Sequence, residues 1–87
     1  MRVVLLYHPK SEHAGRVQDY AEDFKRLKGR DLELLSLETK EGDEIAKLYD
    51  ITSYPALLVL ANDGQLQRGW QGGELPLMRE LEYYTQN

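Results

Sequence analysis

The chain has 87 residues, a net charge of −4 and no cysteine. That length fits one domain, residues 1–87, near the lower limit at which an apolar core alone sustains a fold. The absence of cysteine excludes disulfides, thiolate metal sites and any reaction that needs a thiol, and the acidic balance argues against nucleic acid as a partner.

Residues 3–7 form a continuous apolar run, Val-Val-Leu-Leu-Tyr, the pattern of a strand covered on both faces. Pro9 ends it, since proline cannot donate to a ladder. From Ser11 to about Lys28 the spacing predicts a helix. Ala14, Val17, Ala21, Phe24 and Leu27 share one stripe, and Tyr20 flanks it. Ser11 is the expected N-cap and Gly29 the expected stop. Residues 32–37 alternate partially and read as a second strand. Residues 39–43 read as a polar turn, and 44–50 as a short helix with Ile45, Leu48 and Tyr49 turned inward.

Residues 56–60 are a third strand, apolar throughout. Asn62-Asp63-Gly64 is turn chemistry, because these residues tolerate left-handed dihedrals. Residues 65–70 then return as a mostly polar strand, expected at the sheet edge. After the loop Gln71-Gly72-Gly73, residues 75–84 read as the last helix. Pro76 falls in its first turn, and Leu77, Met78, Leu81 and Tyr84 or Tyr83 form its apolar face. The order β-α-β-α-β-β-α implies an α/β fold: a parallel first βαβ unit, an antiparallel hairpin, and a four-stranded mixed sheet flanked by three helices, two on one face and one on the other.

No apolar run approaches the length of a membrane span. The N-terminus lacks the pattern of a signal peptide, so the expected location is cytoplasmic, with no membrane partner. Lys25, Arg26, Lys28 and Arg30 read as a solvated helix end that opposes the negative pole of the macrodipole. Neighbouring Asp19, Glu22, Asp23, Asp31 and Glu33 weigh against a phosphate-binding patch.

The element order resembles the minimal core of the thioredoxin-like superfamily, and local residues strengthen the likeness. Residues 49–60, Tyr-Asp-Ile-Thr-Ser-Tyr-Pro-Ala-Leu-Leu-Val-Leu, look like the stretch in which a short helix ends, a proline follows and an apolar strand begins. The turn at Asn62-Asp63-Gly64 follows where expected, and Gly72 stands where that family carries a glycine after its last strand. The resemblance implies a cis bond before Pro55. It also implies a cleft built from three loops: residues 8–13, Ser53-Tyr54-Pro55 and residues 70–73.

The departure lies in the first loop. Thioredoxins and glutaredoxins carry C-x-x-C or C-x-x-S at the loop-to-helix junction. Here Ser11 and Ala14 occupy those positions, or Glu12 and Gly15 in a register shifted by one. A thiolate is the nucleophile of that chemistry, and a serine hydroxyl without a positioned base does not replace it. Ser11, Glu12, His13 and Ala14 therefore mark a degenerate redox motif, and no catalytic residue is assigned.

The expected function is a non-catalytic protein- or peptide-binding domain. Its site would comprise Tyr54, Pro55, Trp70, His13 and Gly72, with Tyr7 or His8 alongside. In relatives the backbone before the proline pairs with an extended peptide. Trp70 has two open readings, an interface anchor or packing against the last helix. An alternative function is an accessory redox protein that binds a small thiol peptide such as glutathione, resting on the Gly72-Gly73-Glu74 turn. A third is a structural subunit or homodimer; the expected state is a monomer or weak dimer. No cofactor is expected. His8, Glu12 and His13 lack the spacing of a helical metal pair. Ser11 and His13 lack the glycine-rich elbow of a hydrolase.

Overall fold

The computed structural model describes residues 1–85. Its elements run β1 (Arg2–Tyr7), α1 (Ala14–Lys28), β2 (Glu33–Ser36), α2 (Lys40–Leu48), β3 (Ala56–Leu60), β4 (Leu66–Gln71) and α3 (Met78–Thr85). They form one four-stranded sheet in the order β2-β1-β3-β4. β1 and β2 are parallel, with Val4 opposite Glu33 and Leu6 opposite Leu35. β1 and β3 are antiparallel, as are β3 and β4, so β4 is an edge strand.

The apolar runs of β1 and β3 follow from this position. Both strands are central, and side chains alternate between two covered faces. Val3, Leu5, Leu57 and Val59 meet Val17 and Phe24 of α1 and Leu81 of α3 on one face. Val4, Leu6, Ala56, Leu58 and Leu60 meet Ile45 and Ala46 of α2 and Ile51 on the other. Phe24 and Leu81 are wholly buried.

α1 starts later than its sequence pattern implies. Ser11 is not its N-cap: the Ser11 hydroxyl donates to the His8 carbonyl at 2.7 Å within a turn. His13 takes the cap position, and its side chain makes no cap hydrogen bond. The other end stops at Gly29, whose φ of 69° lies in the left-handed region and whose N–H donates to the Lys25 carbonyl at 2.8 Å. Leu27 is 59% exposed, outside the expected stripe. It lies about 80° around the helix from Val17, whereas Lys28 lies about 20° away. Lys28 therefore lays its stem near α3, where it pairs with Glu82 at 3.3 Å.

α2 instead starts earlier. Residues 39–43 are not a free turn: Thr39 is the N-cap, and its hydroxyl oxygen accepts from the Gly42 N–H at 3.1 Å. This shifts the inward face to Gly42, Ile45 and Ala46 and leaves Leu48 73% exposed. α3 begins at Met78, so Pro76 and Leu77 precede it. Pro76 is buried, and its carbonyl accepts from the Tyr20 hydroxyl at 2.8 Å. Leu77 points to solvent, leaving Met78, Leu81 and Tyr84 as the inward residues of α3.

Candidate functional site

Three loops meet at the end of the sheet where β1 finishes and β3 begins. The first, residues 8–13, is folded back on itself. Ser11 N–H and the Ser11 hydroxyl both donate to the His8 carbonyl, at 3.1 and 2.7 Å. The His8 N–H donates to Nε2 of His13 at 3.1 Å. The His8 ring then reaches the second loop, edge-on to Tyr54 with centroids 5.0 Å apart. The two imidazoles stand 6.1 Å apart.

The second loop is residues 52–55. The Tyr54 hydroxyl donates to the Ile51 carbonyl at 2.8 Å, which fixes the ring over the α2 side of the sheet. The Tyr54–Pro55 peptide bond is cis. Pro55 is buried, and its carbonyl accepts from the Gly72 N–H at 2.9 Å. The third loop is thereby tied to the second. Thr52 N–H also donates to the Gln71 side chain at 3.2 Å. Gly72 has φ 66°, and a β-carbon there would stand 3.1 Å from that of Ser53. Arg16 of α1 completes the circuit by donating to the Gly73 carbonyl at 3.3 Å.

The structure thus brings together Tyr54, Pro55, His13 and Gly72, with His8 as the bridge. Trp70 is placed elsewhere. It lies opposite Leu57, on the α1–α3 face of the sheet. Its ring meets Tyr84 edge-on at 5.8 Å and carries Arg68 at 4.5 Å above it. Tyr7 also packs on that face. The parity of β4 decides this: Gln71 lies opposite Ala56, on the α2 side with Tyr54, and Trp70 one residue before it therefore takes the other face.

His13 is held below the usual imidazole range, first by desolvation, then by the neighbouring His8 and Arg16. Its role as an acceptor requires the same neutral form, because a protonated Nε2 has no lone pair to offer. Burial pushes the Tyr54 phenol up, with a smaller contribution from Asp43. Ser11 spends its proton on a carbonyl, and His13 Nε2 is engaged by a backbone amide, so the two form no nucleophile–base pair. Glu12 is exposed, and Ala14 is the first residue of α1. Among the described residues no group of three His, Cys, Asp or Glu is arranged to hold a metal ion.

The sequence matches no family model and no curated protein. Solved structures do resemble it. Thioredoxin 1 of Thermosipho africanus superposes with a TM-score of 0.67 over 98% of this chain and 90% of that one, at 9% identity. A Plasmodium falciparum thioredoxin superposes with a TM-score of 0.64 over 94% and 79%, at 16% identity. The chain has a thioredoxin-like fold without a cysteine.

Proposed function

We propose that this protein is a non-catalytic docking domain that holds an extended segment of a partner protein against the loop before β3. The observation that carries this reading is the backbone of Tyr54. Neither its N–H nor its C=O enters a hydrogen bond among the described residues. By contrast, the Pro55 carbonyl accepts from Gly72 and the Thr52 N–H donates to Gln71. An open donor and acceptor on one residue, beside a half-buried aromatic ring, suit pairing with an extended chain.

In this reading Tyr54, Pro55 and Gly72 form the floor, and His8 and His13 form one wall. With no thiol, capture is reversible and driven by backbone pairing and ring contact. The test is selection from a library of random linear peptides on immobilised protein, followed by amide shift mapping of the selected peptide. The reading predicts amide shifts at residues 8, 53, 54, 72 and 73, and loss of binding in His8→Ala, Tyr54→Ala. Failure to select any peptide, or shifts confined to another face, would overturn it. Glutathione serves as a control and is expected to leave these amides unmoved.

A further inference from the structure

Trp70 belongs to a second surface. β4 is an edge strand, so among the described residues one side of its backbone has no strand beyond it. Such edges are usually guarded by lysine, proline or a covering element, because open N–H and C=O groups template another strand. Residues 66–68 are exposed, and Arg68 is the one charged side chain on β4. Its guanidinium lies 4.5 Å over the Trp70 ring and donates to the Gly69 carbonyl at 3.2 Å, so the cation rests along the strand itself.

α3 supplies the opposite wall. Arg79, Tyr83 and Tyr84 border, with Arg68 and Trp70, a shallow groove of about 300 Å³. Tyr83 is 73% exposed. Arg2 pairs with Glu33 and Glu41, Lys25 with Asp31, Lys28 with Glu82 and Lys47 with Asp43. Arg68 and Arg79 have no ion-pair partner among the described residues. Glu80 also borders the groove, but its carboxylate accepts from the Leu77 N–H at 3.4 Å, back toward the start of α3.

We propose that the β4 edge and the adjoining face of α3 dock an acidic extended segment of a partner protein. The segment adds a fifth strand beside β4. Its alternate side chains fall on one face. Carboxylates there meet Arg68 and Arg79, and an apolar side chain enters the groove between Trp70 and Tyr83. Arginine suits this role because its fork pairs carboxylates bidentately, and Trp, Tyr and Arg are the residue types that dominate interface energetics. A single-stranded nucleic acid could stack on the same rings, but it has no backbone amides for a strand edge.

The test uses two synthetic octapeptides, one with glutamate, phenylalanine and glutamate at successive alternate positions and threonine between them, the other carrying lysine for glutamate. Each is titrated into the labelled protein by amide shift mapping and Trp70 fluorescence. The acidic peptide is expected to shift residues 66–71 and 79–84 and to change Trp70 emission, while the basic peptide does neither. The Arg68→Gln, Arg79→Gln variant, its fold confirmed by its amide spectrum, is expected to bind at least tenfold more weakly. Equal binding of both peptides, undiminished binding by the variant, or shifts confined to residues 8–13 and 53–55 would overturn the proposal. So would saturation by an oligouridylate but not the acidic peptide, or a concentration-dependent doubling of mass showing that a second copy covers the edge.

Discussion

Two helical glycines sit in opposite surroundings, and alanine at each should move stability in opposite directions. Gly42 lies in the first turn of α2, against the end of β2. A β-carbon there would stand 2.2 Å from the Ser36 carbonyl oxygen, 2.9 Å from its carbon and 3.1 Å from Thr39 Oγ1. Helix propensity alone favours alanine over glycine by about 0.5–1 kcal/mol. The contact is with backbone, so α2 must move away from β2, a strain typically costing about 1–3 kcal/mol. The same shift loosens the Thr39 cap, worth about 1 kcal/mol. Gly42→Ala should therefore destabilise by about 1–3 kcal/mol, or lower Tm by roughly 5–20 °C for a domain of this size. Gly15, in α1, has no neighbouring heavy atom within 4 Å of the added carbon. Gly15→Ala should stabilise by up to about 1 kcal/mol. Urea unfolding followed by far-ultraviolet circular dichroism measures both. A Gly42→Ala protein as stable as wild type would refute the packing of α2 on β2.

Phe24 is wholly buried between α1 and the sheet. Phe24→Ala should cost about 3–5 kcal/mol, a large share of a total stability of order 5–15 kcal/mol, and lower the unfolding midpoint accordingly. A cooperative transition near the wild-type midpoint would contradict this core. Burial holds the Tyr20 phenol up at about 12, with Glu80 adding to the effect. The neutral form is favoured by folding, so its contribution is complete below the unfolded value of 10.0 and is lost as pH rises toward about 12. Ultraviolet titration should show a late step near 12 that disappears in Tyr20→Phe; no such step would refute the assignment. The His13 imidazole should titrate below 6.5, the value it regains on unfolding. Its stabilising contribution is present above 6.5 and lost as pH falls through the folded midpoint, and the His8 amide should move with it because Nε2 stops accepting. A midpoint at or above 6.5 by NMR would contradict that hydrogen bond.

The strands were the most legible part of the sequence. Residues 56–60 occupy the expected strand span, because a wholly apolar run of that length between turn residues has few other places to go. Helix starts were less legible, since they depend on caps rather than periodicity. Ser11 looks like a cap but its hydroxyl is used within the 8–13 turn, while Thr39 followed by Gly42 is a cap hidden in a polar stretch. At the site, the likeness to the thioredoxin-like fold implies that Tyr54, Pro55, Gly72 and Trp70 converge, but it does not show the face of Trp70. Only the pairing of Leu57 with Trp70 sets that parity. His8 is visible in the sequence as a residue five before His13, yet its part in linking His13 to Tyr54 needs the fold of the turn.

The central claim is that the backbone of Tyr54 is open in the free protein and closes on an extended partner chain. Amide hydrogen exchange at Tyr54, without and with a peptide selected on the immobilised protein, tests it most directly. The account predicts rapid exchange in the free protein and at least tenfold slowing in the complex, while Gly72, already bonded to Pro55, is protected in both. A Tyr54 amide that is protected before any peptide is added, or unchanged after saturation, would contradict it.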